Sequence, residues 1–426
     1  MSSTCHSLPR RLIEQLRRAD WLNRDRVIAW SIVLLIEEAL LLGFLALWQH
    51  GAFVPVAPSS SDFVSFYAAG KLALAGTPAL AYDQAAHYLA QQQATVQGAP
   101  YQFFFYPPVY LILCAGLAMM PYYLAFAVFQ ATTLGMFILM MRRLLWEQGT
   151  GWLAPLLAFP AVFWTLGLGQ NAFLTATLFG GFTLMLDRRP VGAGVLLGAL
   201  CYKPHFGLLV PGALLAGRRW VAFDVAAATV VWLVTASIMM FGWDTWHAYL
   251  EAFAHSNGVY DSGRIDFAGM VTPFGAARLL GFDPWPAYLV QGAAALVMVV
   301  LVALIWRAEV SRNLRSAALL AATLLAVPLV LVYDKMLALV AIGWLIREAR
   351  QTGYLPWEKL VLLCVYPMAL MVWLIGQGLH LPLGPFVSST VLLLCQRRIW
   401  LNVRAGRAPG ELVARTVQPA PVGATP

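Results

Sequence analysis

Apolar residues fall along this chain in long blocks separated by short clusters of arginine, rather than alternating with polar residues as on the face of a half-buried strand. The first block, Val27 to Trp48, is close to the roughly 20 residues that cross a bilayer as a helix. It follows Arg10, Arg11, Arg17, Arg18, Arg24 and Arg26, and no small-residue cleavage site comes after it. The block therefore reads as an uncleaved first membrane helix with its N-terminus in the cytoplasm. Roughly eleven to thirteen apolar segments can be counted along the chain. They predict an all-α polytopic membrane protein, with a basic cytoplasmic segment over 1–26 and a membrane-embedded domain over 27–400. A cytoplasmic tail over 401–426, with Pro409, Pro419, Pro421 and Pro426, is expected to be disordered.

Two segments leave the number of crossings open. Pro107 to Met141 carries Pro121 near its middle, so it forms either a short helix and a full one or a single crossing with a broken start. Pro190 to Gly217 lies between two arginine pairs and folds back at Lys203-Pro204. Each arm, about 12 residues, is short for a crossing, which puts the tip in the outer half of the membrane or at its surface.

Composition sharpens the class. Of the 426 residues, 60% are hydrophobic and 11% charged, and the mean hydropathy is +0.71; a soluble core could not hide so much apolar surface. The net charge of +8 would fit a nucleic-acid binder, but the cations sit between apolar blocks: Arg142-Arg143, Arg188-Arg189, Arg218-Arg219, Arg307 to Arg315, Arg347 to Lys359, and Arg397 to Arg415. That is the positive-inside distribution, not a nucleic-acid stripe. The five cysteines, Cys5, Cys114, Cys201, Cys364 and Cys395, show no paired spacing, so neither a disulfide framework nor a zinc site is expected. With the arginines inside, two long connections face outward, Gln49 to Tyr106 and Gly242 to Asp283. Shorter outward points fall at Gly169-Gln170-Asn171, Lys203-Pro204-His205, Tyr333-Asp334-Lys335 and Gly376 to Pro382.

These outward segments hold the unusual residues. Phe63 to Ala75 and Gln84 to Gln93 have helical spacing but are too short to span, so they are expected along the membrane surface. The aromatic run Tyr101 to Tyr106 suits interfacial anchoring or a sugar platform. Asp62 is a carboxylate where the first helix leaves the bilayer, placed to act as a general base on a membrane-bound substrate. It also ends Ser59-Ser60-Ser61-Asp62, a good N-cap sequence, and the two roles are compatible. Gln170 and Asn171 fit either a sugar contact or a cap on the helix that follows. An isolated charge at Asp334 would be costly between apolar segments, so a local pair with Lys335 is the bland expectation. Arg264 is a candidate phosphate or acceptor contact, flanked by Asp261 and Asp266, which fit a surface ion pair with it.

The order of Asp62-Phe63, Tyr67-Ala68-Ala69-Gly70, Gly76, Tyr82-Asp83, Tyr106-Pro107-Pro108, Pro121, Gly169-Gln170, Lys203-Pro204 and Tyr333-Asp334 resembles glycosyltransferase family 87. These are GT-C-type integral-membrane enzymes that include polyprenol-phosphate-mannose-dependent mannosyltransferases of bacterial envelopes. The likeness covers about Arg24 to Arg350. It implies a GT-C-like helical bundle in a bacterial cytoplasmic membrane. It also implies an extracytoplasmic site, a sugar donor carried on a polyprenyl phosphate, and inversion at the anomeric carbon. Mannose is the first expectation for the sugar, and an envelope lipid or glycan for the acceptor. By the resemblance Asp62 is the base, and Tyr67, Tyr106, Gln170, Asn171, Lys203, Arg264 and Asp334 are candidate substrate contacts. Lys203, at the hairpin tip, would meet the donor phosphate where a low dielectric strengthens the attraction; the alternative is a lysine that snorkels to the headgroups. His205 reads as an interfacial neighbour rather than a base. The family sometimes carries histidines where this chain has Tyr333-Asp334. No cofactor is implied, and with no D-x-D motif in the external loops a metal is not expected.

A transporter or lipid flippase is the alternative from another class. It would be expected to show inverted repeats with broken helices at matching positions, and no such internal symmetry is visible. A structural scaffold would need no acid or lysine within the membrane.

Overall fold

The computed structural model describes residues 7–47, 61–145 and 150–404. The chain is an all-α polytopic membrane protein. Among the described residues, five helices are long and apolar enough to cross a membrane: Arg24–Phe44 (within Arg24–Leu47), Tyr122–Leu144, Trp220–Phe241, Pro284–Arg307 and Glu358–Leu379. The other apolar segments counted in the sequence resolve into shorter helices, among them Pro108–Ala118, Ala172–Met185 and Pro190–Ala199. Within Pro107 to Met141 the outcome is a short helix and a full one. Pro108 opens the first at a position where a missing N–H costs nothing, and Pro121 caps the second. The tail from 405 onward, and 48–60 in the connection after the first membrane helix, lie outside the described residues.

Two helices form the centre. Arg312–Ala326 and Met336–Thr352 are buried along most of their length, and they are joined by a turn at Val332–Lys335. Tyr122–Leu144, Ala172–Met185, Pro284–Arg307 and Phe386–Arg404 pack around this pair. By contrast, Arg24–Leu47 and Trp220–Phe241 present large apolar side chains outward, such as Trp30, Leu40, Val231 and Trp232, as lipid-facing helices do.

This arrangement gives the molecule two poles. The central helix Met336–Thr352 begins beside Asp334 and ends at Thr352, about 24 Å from its start at 1.5 Å per residue. Arginines gather at the second pole, where Asp187 is held by Arg219 at 2.7 Å and by Arg312 and Arg315.

Phe63–Leu74 differs from its expectation as a surface helix. Every side chain from Phe63 to Tyr67 is buried, as are Ala68 and Ala69, and the helix packs on Pro108–Ala118. Gly70 makes the contact possible: a Cβ there would fall 2.1 Å from the carbonyl oxygen of Cys114. Even alanine would push the two backbones apart, an overpacking of the kind that costs about 1–3 kcal/mol. The sequence pattern of Phe66, Tyr67, Gly70 and Leu74 was apolar enough for burial, but it could not say whether lipid or protein would cover it. The second short helix, Gln84–Ala94, starts on Asp83, whose side chain accepts the amide of Ala86 at 2.8 Å.

Candidate active site

Asp62 precedes the buried helix Phe63–Leu74 at its N-cap position, yet its side chain makes no capping bond. The carboxylate turns instead toward Gln170, whose amide nitrogen donates to Oδ2 at 2.7 Å. Backbone geometry fixes this meeting. The Asp62 amide donates to the carbonyl of Leu168 at 3.0 Å. Gly169 then takes φ +65°, a left-handed turn that L-residues resist, in a space where a Cβ would lie 2.8 Å from that of Phe63. Gln170 is thus delivered to the acid by a turn that only glycine can make. Behind it, Gln130 donates to the Gln170 carbonyl at 3.2 Å.

The Gln170 amide is read from both ends. Its oxygen accepts the Tyr106 hydroxyl at 3.4 Å and the Asn171 amide at 3.3 Å, which leaves the nitrogen for Asp62. Asn171 donates through Nδ2 to the Tyr110 hydroxyl at 3.1 Å; neither Gln170 nor Asn171 caps the following helix through its side chain. Tyr106, Tyr110 and Tyr202 form a stack with centroids 4.6 and 5.0 Å apart at successive steps. That stack connects the end of the Gln49 to Tyr106 connection to the tip of the Pro190–Gly217 hairpin. Lys203 is the next residue.

Lys203 is buried and donates to Asp334 Oδ1 at 2.8 Å, across 131 positions of sequence. Phe206 and Tyr333 flank the ammonium with ring centroids at 5.5 and 5.4 Å. The local pair expected between Asp334 and Lys335 does not form: Lys335 donates to the carbonyl of Ala369 at 2.9 Å, because the turn at Val332–Lys335 sends consecutive side chains to different neighbours. The other Asp334 oxygen accepts the Leu331 amide at 3.2 Å, which shapes that turn.

Asp62 is half-buried, and an edge of it remains accessible. Burial raises its pKa to about 6, with the Gln170 hydrogen bond and the Lys203 charge pulling the other way. A carboxyl tuned to that value is ionised at neutral pH yet still basic enough to take a proton from a hydroxyl in a transition state. The site therefore joins a carboxylate of raised pKa, a cation held by a second acid, and a set of aromatic hydroxyls and amides.

Of the residues singled out in the sequence, the fold brings together Asp62, Tyr106, Gln170, Asn171, Lys203 and Asp334. It places Tyr67 and Arg264 elsewhere. The Tyr67 hydroxyl donates to the Met120 carbonyl at 2.9 Å, and its ring packs on Tyr122. Arg264 is exposed beside a separate cavity of about 430 Å³ lined by Tyr101, Phe103, Phe105 and Tyr249. The acids expected to hold it are engaged otherwise: Asp261 accepts the Tyr288 hydroxyl, and Asp266 accepts Trp373 and Gln377. Sequence reading missed Tyr110, Tyr202, Gln130 and His87. Tyr202 stood next to Lys203 and was the one with a visible signal. His87 is buried, donating through Nε2 to the Ser65 carbonyl at 3.0 Å and accepting the Tyr101 hydroxyl at Nδ1. Burial lowers its pKa to about 4, so it is a neutral brace behind the Asp62 helix.

No curated protein and no solved structure matches the chain. The profile of glycosyltransferase family 87 matches residues 104–333, a stretch that contains Tyr106, Gln170, Asn171, Lys203 and Arg264, stops one residue before Asp334, and begins after Asp62. Because that stretch is more than half of a helical membrane protein, and most of the clustered polar residues lie within it, the chain belongs to glycosyltransferase family 87 and is a membrane glycosyltransferase.

Proposed function

We propose that the protein transfers one sugar, mannose first among hexoses and pentoses, from a polyprenyl-phosphate carrier to a hydroxyl of an envelope lipid or glycan. The reaction is assigned to the extracytoplasmic side of a bacterial cytoplasmic membrane. The observation that carries this reading is the pairing of Asp62, held by Gln170 and tuned by burial, with the ammonium of Lys203 close enough to lower its pKa. The family resemblance and the charge distribution of the arginine clusters support the donor class and the side of the membrane.

The acceptor oxygen attacks the anomeric carbon as the bond from that carbon to the phosphate oxygen breaks. The bonding electrons depart with the polyprenyl phosphate, and the acceptor proton passes to Asp62. Attack opposite the leaving group inverts the anomeric centre. Lys203 faces the charge that develops on the departing phosphate, an interaction that gains strength in a site poor in water. Asp334 positions that ammonium. Tyr106 and Asn171 supply a hydroxyl and an amide for the sugar.

The test is to offer purified protein in lipid a panel of polyprenyl-phosphate sugars beside nucleotide sugars and to follow which is consumed. Consumption of polyprenyl-phosphate mannose with release of polyprenyl phosphate is expected. Turnover of a nucleotide sugar with the lipid-linked panel untouched would overturn the donor assignment.

A further inference from the structure

The pole opposite Asp62 has a second recess, which the sugar chemistry does not use. It is a groove of about 640 Å³ between Arg24–Leu47 on one side and Met336–Thr352 and Glu358–Leu379 on the other, floored by Gly151 and Trp152. Arg350 and Lys359 lie beside Tyr354 and Arg24 lines the same groove against Gly151, whereas aliphatic side chains such as Leu34, Leu339 and Leu362 wall the remainder. The cations come from three different elements. Arg24 lies against Gly151, where a Cβ would stand 2.5 Å from its Nε, so a glycine is what lets the guanidinium settle there. Lys359 sits 5.5 Å from the Tyr354 ring and 3.5 Å from Asp20, a carboxylate whose side chain is 75% exposed and therefore well screened. The groove's own acid, Glu37, is about 20 Å further along the helix from Arg24 at 1.5 Å per residue, too distant to neutralise the cationic end. Between Arg24 and Phe44 only Ser31 and Glu38 are buried, so the outer wall is a helix bathed in lipid.

We propose that this groove binds one anionic phospholipid, with its phosphate among Arg24, Arg350 and Lys359 and one acyl chain along the aliphatic wall. Charge complementarity names the headgroup: three cations, each at or near the end of its helix, line the groove on the side where a lipid phosphate would lie, and the screened Asp20 does not cancel them. Length names the chain. The wall of about 20 Å from Arg24 to Glu37 approximates one leaflet with its headgroup, about half of a bilayer roughly 40–45 Å thick, which suits an ordinary acyl chain and not a polyprenyl chain several times longer. The bound lipid would fasten the lightly packed first helix to the centre of the molecule.

The test is native mass spectrometry of the delipidated full chain, titrated with palmitoyl-oleoyl phosphatidylglycerol, the matching phosphatidylcholine, glycerol 3-phosphate or undecaprenyl phosphate. One phosphatidylglycerol should be retained about tenfold more tightly than phosphatidylcholine, since electrostatic attraction to basic residues adds to the apolar contact. Glycerol 3-phosphate should not saturate. Arg24→Gln/Arg350→Gln/Lys359→Gln should abolish the preference for phosphatidylglycerol. Leu34→Trp, which fills the groove and leaves the cations in place, should lower retention of both phospholipids; monodisperse elution of each variant reports that it is folded. Equal retention of phosphatidylglycerol by the triple variant and the parent would overturn the assignment, as would saturation by glycerol 3-phosphate alone or stronger retention of undecaprenyl phosphate.

Discussion

At the arginine-rich pole, Arg398 meets Glu358 through both carboxylate oxygens, and the same guanidinium also donates to Thr352 Oγ1 and the Gly353 carbonyl, each at 2.9 Å. The Leu355 amide completes the set by donating to Glu358 at 2.9 Å. At the other pole, Lys203 meets Asp334 through one bond, with aromatic rings rather than further acceptors on its flanks. Both pairs are buried, with no side chain above 5% exposure. The difference lies in saturation. Arg398 is a planar fork with four of its five donors spent on the protein, which suits a clamp between the start of one helix and the end of another. Lys203 has three donors and gives one of them to a protein oxygen among the described residues, which suits a cation that must meet something else.

Breaking the clamp is the largest expected effect. Glu358→Ala leaves a guanidinium buried without its counter-ion, a loss of about 3–5 kcal/mol in comparable buried pairs. The midpoint of thermal inactivation should fall, while turnover per folded molecule stays near that of the parent. A variant that melts normally but turns over slowly would erase the contrast between the poles.

Asp62→Asn comes next. The side chain caps nothing, and asparagine can still accept from Gln170, so the fold should survive. Loss of the base should reduce transfer by about 100-fold or more. Near-parental turnover would remove Asp62 from the chemistry.

The Lys203 series sharpens the comparison. Lys203→Gln should weaken donor binding by about 1.5–3 kcal/mol, the range for a hydrogen bond to a charged group, and Lys203→Arg should recover part of it. Because Asp334 is then left buried without its cation, Lys203→Gln should also lower thermal stability, contrary to the simple picture of a snorkelling lysine. Adding Asp334→Asn should restore stability but not donor affinity. If the double variant regains donor affinity, the lysine is structural after all.

The smallest effect is a shift in pH. With Asp62 as the proposed base, transfer would need its ionised form, so the rate should fall as pH drops through about 6. Gln170→Leu removes the hydrogen bond that favours ionisation, so the midpoint should move upward, as read from the acid limb of the rate profile. An unmoved midpoint would mean that another group titrates.

What the sequence revealed was local. Asp62, the Lys203-Pro204 fold-back and the two short helices of the first connection were visible, because each is announced by residues within a few positions of it. The Lys203–Asp334 bond was hidden, because nothing along the chain marks two residues 131 positions apart as partners. Its concealment also explains the mistaken local pairing of Asp334 with Lys335. The N-cap pattern before Phe63 was accurate about where the helix begins, yet it did not show that a tertiary partner, Gln170, would take the carboxylate. Arg264 stood in a polar loop with two acids nearby, and chain proximity said nothing of the aromatic cavity beside which it lies.

The approach of Gly70 to the Cys114 carbonyl bears on how a substrate would reach Asp62. Two helices seated backbone to backbone move as one body, so the segment that bears Asp62 is a fixed wall and not a flap. Trp243–His255, by contrast, meets this region through side chains, Tyr249 on Tyr82 among them, with ring centroids 5.6 Å apart. Contacts of that kind part and re-form without disturbing a backbone hydrogen bond. On these contacts Trp243–His255, rather than the segment that bears Asp62, is the element expected to shift.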